Sequence, residues 1–299
     1  MKYLMLYNPV SGRGRAKKHA KHIQKYFNKR NLSIDFYESQ APHDLEKKAH
    51  QASDAYDVFL VAGGDGTVNE VINGIMKSEK RPIIGVLPFG TANDFAGILK
   101  ISRYYRKALN LFMKETPVLM DVNMINDRYF MYTIASGVLT RISYDISRRK
   151  LKKYGYLAYV FEGAKDLLTD YKMPIEISYD HKTLKGDYMM VLGLCSTRVG
   201  GFRLKYFSKP KLNDGLFELM LFEHVKHFRT FKILSYFLKR GRKLKENQQI
   251  VGSEFDIKTN ASVVWNADGE LSSKGNIKVK VFKEQIQVYA HPKIKKKFF

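Results

Sequence analysis

The first third of the chain repeats one unit, in which a short apolar run is followed by a loop and then by a helix-like segment. Continuous apolar runs occupy residues 3–7, 58–62 and 83–87, and residues 32–37 alternate as a further strand candidate. Helix-like segments lie at 16–30, 44–53 and 68–76 and from about residue 93. Continuous apolar runs are typical of strands buried on both faces, and strands alternating with helices predict a parallel sheet covered on both sides. We therefore expect an N-terminal α/β domain with a doubly wound parallel sheet.

The pattern changes after about residue 120, where short strand candidates are separated mostly by Gly, Asn or Asp turns. The candidates are residues 129–135, 175–179, 188–194, 217–222, 254–258, 262–265, 277–282 and 285–289. Closely spaced strands of this kind favour an antiparallel β-sandwich, which two predicted helices at 157–168 and 228–238 interrupt. We expect an α/β domain over residues 1–121, a mainly β domain over 122–290, and a basic tail over 291–299 that packs back on the first domain.

Charge and composition limit what the chain can bind. It has 299 residues with a formal net charge of +23, and 44% of its residues are hydrophobic, which is too many for a disordered chain. Cys195 is its single cysteine, so an intramolecular disulfide and a Cys-rich zinc site are excluded and a reducing cytoplasm is expected. No apolar run approaches the roughly 20 residues that span a bilayer, and the first residues become polar too early for a signal peptide. The charge predicts an anionic partner, either nucleic acid, a phosphorylated small molecule or an acidic membrane.

Three glycine-containing loops follow three of the predicted strands. They cover residues 8–14, residues 63–67 with the continuation 68–70, and residues 88–95. Ligands of open parallel sheets bind at the carboxyl ends of the strands, and glycine amides and helix N-termini there suit phosphate. A carboxylate at Asp65 beside a phosphate calls for a cation between them, and Mg²⁺ is usually held in this way. The pattern therefore predicts a loop for a magnesium–nucleotide complex, but it is neither a Walker A loop nor a dinucleotide fingerprint.

These motifs resemble the signature of the diacylglycerol kinase catalytic-domain family, and the run Asn69–Gly74 is similar to its bacterial branch. The resemblance implies that ATP and Mg²⁺ are the cofactors, that Asp65 holds Mg²⁺ and that Asp94 completes an acidic network. The residues implied to bind the nucleotide are Asn8, Pro9, Val10, Ser11, Gly12, Gly63, Gly64, Asp65, Gly66, Thr67, Val68, Asn69, Glu70 and Thr91. Where many members have a threonine after the second strand, this chain has Ser39-Gln40.

Two turns in the second half also match the family. By itself each looks like an ordinary turn, since Asp-Gly between apolar runs is a strong hairpin signal. The resemblance implies that residues 211–216 form a structural Mg²⁺ loop, with the Asp214 carboxylate and the carbonyls of Lys211 and Leu216 as ligands, connected through water to Asp121. It also implies that Glu270, in the run Asp268-Gly269-Glu270, is the general base.

The resemblance implies an ATP-dependent lipid kinase that phosphorylates the hydroxyl of diacylglycerol or a related lipid and forms phosphatidic acid. Two alternatives stay open, a small-molecule kinase similar to NAD kinase, which shares Gly-Gly-Asp-Gly, and a non-catalytic basic regulatory or nucleic-acid-binding protein on the same fold. The expected partner is a lipid substrate at an anionic membrane, with peripheral attachment to its inner face. Basic runs at 148–153, 239–245 and 293–297 would contribute about 1 kcal/mol per suitably placed residue. No nucleic-acid partner is expected, and related bacterial enzymes suggest a homodimer.

Overall fold

A computed structural model describes residues 1–138, 172–199, 202–204, 207, 210–224, 233, 235–237, 239–242 and 247–299. The predicted helix at 157–168 and the basic run at 148–153 lie outside the described residues, as does most of the predicted helix at 228–238. Within the described part of the chain, every helix is too short or too polar to cross a lipid bilayer.

The N-terminal part is a parallel sheet with the strand order β2-β1-β3-β4. Its strands are β1 (Tyr3–Tyr7), β2 (Ile34–Glu38), β3 (Val58–Gly63) and β4 (Ile83–Pro88), and its helices are α1 (Arg15–Asn28), α2 (Asp44–Ala52), α3 (Asp65–Ile75), α4 (Asp94–Ile98) and α5 (Tyr105–Lys114). Every residue of β1 and β3 is buried, as expected for strands with layers on both faces. The predicted doubly wound α/β arrangement is confirmed.

The remaining strands are mostly antiparallel. They are β5 (Val118–Ile125), β6 (Arg128–Phe130), β7 (Thr133–Gly137), β8 (Met173–Tyr179), β9 (Lys182–Leu194), β10 (Arg198–Val199), β11 (Phe202–Arg203), β12 (Phe217–Glu223), β13 (Asn247–Gly252), β14 (Glu254–Thr259), β15 (Val264–Ala267), β16 (Glu270–Lys274) and β17 (Ile277–Val288). The last strand joins the two parts, because β17 pairs antiparallel with β5 and β14 while Val288 pairs in parallel with Ile84 of β4. One hydrogen-bonded sheet therefore runs through both halves of the protein.

Several predicted boundaries are wrong for identifiable reasons. The strand predicted at 129–135 is divided into β6 and β7, because the amides of Met131 and Tyr132 donate to the carboxylate of Asp268. The strands predicted at 277–282 and 285–289 are one strand with an irregularity between Phe282 and Ile286. Helix α3 begins at Asp65 rather than at residue 68, so the second glycine loop ends inside its first turn. The sequence analysis did not predict α5, β5, β13 or β16.

The C-terminal segment forms a short helix, α6 (Pro292–Phe298), which contacts the end of α5 and the loop before β12. The ammonium of Lys295 is 2.9 Å from a carboxylate oxygen of Glu115 and 2.6 Å from the carbonyl oxygen of Thr116. The side chain of Phe298 is buried, and its carbonyl accepts a 2.7 Å hydrogen bond from the amide of Leu212. This segment therefore contacts the loop in which the sequence predicts a structural metal.

Candidate active site

The carboxyl ends of β1, β3 and β4 bring the three glycine loops into direct backbone contact. The amides of Phe89 and Gly90 both donate to the carbonyl of Gly63 at 2.9 Å, which joins the second loop to the third. A side chain at Gly90 would overlap the backbone of Gly64, and one at Gly12 would overlap the carbonyl of Phe89. Only glycine permits these approaches, so the glycines hold the loops together as well as leaving their amides accessible.

The first loop is a turn closed by its own residues. The side-chain carbonyl of Asn8 accepts a hydrogen bond from the amide of Val10 at 3.0 Å, and its backbone carbonyl accepts one from the amide of Ser11 at 3.2 Å. Val10 is exposed and Pro9 is half-buried, while Gly12 has a φ of +57°. A nucleotide phosphate contacting this loop would therefore meet mainly backbone groups.

The second loop uses most of its side chains inside the protein. Thr67 is buried against Gly63, and Val68 is buried in the core. The side-chain amide nitrogen (Nδ2) of Asn69 donates to the backbone carbonyl of Tyr129 at 3.1 Å and to a carboxylate oxygen of Asp268 at 3.2 Å. Nucleotide binding by these residues stays a prediction, and it concerns their backbone groups.

Glu70 lies on the same helix, near the start of α2. Burial raises the pKa of its carboxyl, the charge of Glu270 adds to this, and hydrogen bonds from the amides of His43 and Leu45 oppose it. Glu70 thus interacts with the N-terminal end of α2, and it lies close enough to Glu270 for their charges to repel.

Two carboxylates and an arginine lie where the second loop meets the third. Burial raises the pKa of Asp65, and the neighbouring carboxylate of Asp94 raises it further, while the amide of Phe95, which donates at 2.9 Å, opposes both. Asp94 is 1% exposed and lies 2.9 Å from Nε of Arg198 in β10. Arg198 was missed by the sequence analysis, and the glycine pair that follows Val199 is the one local signal that could have indicated a functional turn.

The third loop and the end of β2 complete this edge of the sheet. Thr91 is exposed, and its carbonyl accepts a hydrogen bond from the guanidinium of Arg103 at 3.3 Å. The hydroxyl of Ser39 donates to the carbonyl of Ala41 at 3.0 Å, and the amide group of Gln40 donates to the carbonyl of Glu38 at 2.8 Å. Both side chains beside β2 therefore stabilise their own turn, and a nucleotide contact by either of them stays a prediction.

The hairpin between β15 and β16 faces the start of α3. Asp268 and Gly269 have φ values of +49° and +90°, the left-handed pair that a tight hairpin turn needs. The Glu270 carboxylate follows, and its Oε1 is 2.5 Å from the place where a Cβ on Gly66 would stand. The Asp-Gly turn that the sequence suggests is therefore real, and it is also what carries Glu270. The turn directs the Glu270 carboxylate to the second glycine loop.

Asp268 anchors this hairpin, a role that the sequence analysis did not assign. Its carboxylate accepts hydrogen bonds from the amides of Met131, Tyr132 and Thr133 at 2.7, 3.0 and 3.2 Å, in addition to the bond from Asn69. Burial raises the pKa of Asp268 to about 6, although these donors oppose the shift. The Asp-Gly pair signals a turn, but nothing in the sequence indicates that the aspartate points inward.

The predicted metal loop lies beside Asp121. The Asp121 carboxylate accepts hydrogen bonds from the amides of Gly215 and Glu284, both at 2.7 Å, and its own amide donates to the carbonyl of Leu212 at 2.8 Å. Burial raises the pKa of Asp121, and the charges of Asp214 and Glu284 add to the shift. Lys211, Asp214 and Leu216 are exposed, so the carboxylate and the carbonyl oxygens of this loop remain near the surface.

No group of three or more His, Cys, Asp or Glu side chains within the described ranges could hold a metal ion. A cation at residues 211–216 would therefore depend on backbone carbonyls and water together with one carboxylate, which is the kind of oxygen set that hard divalent cations accept.

Comparison with known proteins gives one consistent result. Residues 2–125 match the family model described as the diacylglycerol kinase catalytic domain. A diacylglycerol kinase of Bacillus subtilis is 32% identical over 270 residues, covering 89% of this chain and 88% of that protein, and one of Staphylococcus carnosus is 29% identical over 294 residues, covering 97% and 95%. The crystal structure of a diacylglycerol kinase from Bacillus anthracis strain Sterne superposes with a TM-score of 0.79 at 21% identity, covering 98% of each chain.

Proposed function

This chain belongs to the family of the diacylglycerol kinase catalytic domain and is a kinase, and from that premise we propose the reaction it catalyses. It transfers the γ-phosphate of ATP to the hydroxyl of diacylglycerol or a related lipid alcohol and forms phosphatidic acid. The observation that carries the proposal is the position of Glu270, whose carboxylate reaches Gly66 from a hairpin of the antiparallel part.

A carboxylate in this position can accept the proton of an attacking alcohol. The lipid hydroxyl has to lose its proton as it attacks the γ-phosphorus, and a positioned side chain contributes to that step by general base catalysis. Asn69 and Asp268 hold the hairpin against α3, so the turn that carries Glu270 is fixed relative to the phosphate loops.

The loops supply the phosphate site. Their backbone amides and the N-terminus of α3 suit the negative charge of the ATP phosphates. Asp65, with Asp94 beside it, would hold the catalytic Mg²⁺, which neutralises phosphate charge when bound. Burial and the two adjacent carboxylates make this a place where a divalent cation relieves an unfavourable interaction.

A second Mg²⁺ would be held by Asp214 and the carbonyls of Lys211 and Leu216, with Asp121 behind them. The support is that Asp121 binds the amide of Gly215 at 2.7 Å and so fixes the loop that carries these groups. This ion would stabilise the loop that α6 contacts, and no catalytic step is assigned to it.

The lipid substrate would be reached at an anionic membrane surface. The net charge of +23 exceeds what phosphate binding by backbone amides requires, and surface lysines and arginines attract anionic lipids. The protein would then act as a peripheral enzyme on the inner face of the membrane, and its binding to phosphatidylglycerol vesicles should fall steeply with added salt. A homodimer stays a prediction.

The test is transfer of labelled phosphate from ATP to diacylglycerol, sphingosine or ceramide in mixed micelles containing anionic lipid. We expect labelled phosphatidic acid, and we expect Glu270→Gln to reduce its formation by about a hundredfold or more. Glu254→Gln, which alters an exposed carboxylate of β14, is the matched control and should keep wild-type activity.

Two results would contradict the proposal. Phosphorylation of NAD⁺ with none of any lipid would favour the small-molecule kinase, and nucleic-acid binding without any phosphoryl transfer would favour the non-catalytic alternative. Near wild-type activity of Glu270→Gln on diacylglycerol would leave the reaction standing and remove Glu270 as its base.

A further inference from the structure

Arg198 is a cation that the antiparallel part places at the meeting point of the second and third glycine loops. It lies in β10, beside α4, and its Nε donates to Oδ1 of Asp94 at 2.9 Å. Asp94 is 1% exposed, whereas the Arg198 side chain is 32% exposed. One side of the guanidinium is thus fixed to a buried carboxylate while part of the side chain stays accessible.

The backbone of α4 is shaped to admit this guanidinium. A Cβ on Gly97 would stand 2.6 Å from Nε and 2.7 Å from Cζ of Arg198, well inside the roughly 3.5 Å at which such atoms make contact. Gly97 has no positive φ, so its backbone conformation does not demand glycine. The guanidinium of Arg198 instead occupies the space that a side chain at residue 97 would need.

A guanidinium held through Nε is oriented for phosphate. The group is planar, and its Nη1 and Nη2 form a fixed fork that matches two oxygens of a phosphate. Asp65 lies in the same cluster, since its carboxylate binds the amide of Phe95 in α4 and is close enough to Asp94 for their charges to interact. Arg198 and Asp65 are therefore both bonded to the first residues of α4, so the guanidinium and the carboxylate that is proposed to hold the cation on the phosphates belong to one cluster.

We propose that Arg198 binds the terminal phosphate of the nucleotide, with Asp94 and Gly97 fixing its orientation. This inference rests on the proposed function, and it extends that function by giving the antiparallel part a second contribution besides Glu270. The rival explanation is an ion pair that ties β10 to α4 and does not contact the nucleotide. The two explanations predict different binding results. A phosphate contact makes substitution of Arg198 weaken a nucleotide with a γ-phosphate more than one without it, whereas a structural ion pair affects both nucleotides equally.

The experiment compares the binding of Mg²⁺ complexes of ADP and of the non-hydrolysable analogue AMP-PNP by isothermal titration calorimetry, without lipid. Arg198→Lys keeps a cation for Asp94 but loses the fork, and Gly97→Ala displaces the guanidinium while Arg198 stays in the chain. We expect both variants to weaken AMP-PNP binding about tenfold or more and ADP binding less than about twofold. Arg106→Met, which removes an exposed arginine of α5, should change neither.

Several outcomes would overturn the proposal. Equal weakening of both nucleotides would assign Arg198 to the structural ion pair, and unchanged binding of both would remove it from the site. Thermal unfolding of each variant shows whether the fold is retained, and Arg198→Lys guards against misfolding because it leaves Asp94 paired.

The same measurements separate this inference from the proposed function. Loss of γ-phosphate discrimination in a protein that phosphorylates no lipid would support Arg198 and contradict the lipid kinase. Failure of the wild type to bind either nucleotide would contradict both.

Discussion

Adding one methyl group at Gly66 tests whether the Glu270 carboxylate acts from the position in which it lies. The glycine is the second residue of α3, and its φ is not in the left-handed region. An alanine there should therefore favour the helix, by up to about 1 kcal/mol. The same methyl group would stand 2.5 Å from Oε1 of Glu270, so stability and activity are expected to change in opposite directions.

The size of the effect follows from that distance. An ordinary contact between carbon and oxygen is about 3.4 Å, so the carboxylate has to move away by about 0.9 Å. Misplacing a reacting group by about 1 Å can cost about a hundredfold in rate. We expect Gly66→Ala to lower kcat about a hundredfold while its unfolding free energy equals or exceeds that of the wild type.

The assay is steady-state phosphorylation of diacylglycerol together with urea unfolding of the same preparations. Glu270→Asp, alone and combined with Gly66→Ala, completes a double-mutant cycle. The shorter side chain of aspartate leaves room for the methyl group. In the Glu270→Asp background, Gly66→Ala should therefore cause little further loss of kcat. An unchanged kcat in Gly66→Ala would refute the reasoning. A raised KM for ATP with unchanged kcat would show instead that the nucleotide, rather than Glu270, approaches Gly66.

Three further predictions concern residues and a bound ion that stabilise the structure around the site. Burial alone would raise the pKa of Glu46, but hydrogen bonds from Lys77 and Arg128 outweigh it and lower the pKa below the ordinary 4.5. Glu46→Gln should therefore lower the free energy of unfolding by about 1–2 kcal/mol at pH 7, as measured by urea unfolding. The gap between wild type and variant should shrink as the pH falls through the lowered pKa, and a gap that stays constant with pH would contradict this. Asp268→Asn should cost about 2 kcal/mol or more, because one amide oxygen cannot serve the four donors of the carboxylate, and a loss below about 1 kcal/mol would show that these bonds do not hold the hairpin. Saturating Mg²⁺ should raise the Tm of the wild type in calorimetry, since a ligand at 100 times its Kd adds about 2.7 kcal/mol of stability. Asp214→Asn should lose most of this rise, and an equal rise in wild type and variant would place the ion elsewhere.

Local patterns predicted the elements whose determinants lie close together in the chain. The buried strands β1, β3 and β4 are continuous apolar runs, and the glycine loops follow them directly. The irregular elements were missed because their causes lie far away in sequence. The break between β6 and β7 depends on Asp268, which lies more than a hundred residues further along the chain.

The sequence by itself determined the parallel sheet, the glycine loops at its edge and the identity of the acidic residues, because apolar periodicity and glycine spacing act over a few neighbouring residues. The tertiary structure decided which of these residues meet. It placed Glu270 over Gly66, committed Asn69 and Asp268 to holding the hairpin, and set Arg198 against Asp94 and Gly97. Such contacts join segments separated by about a hundred residues or more, and only the folding of the chain through β17 and the loops brings their side chains within a few ångströms of one another.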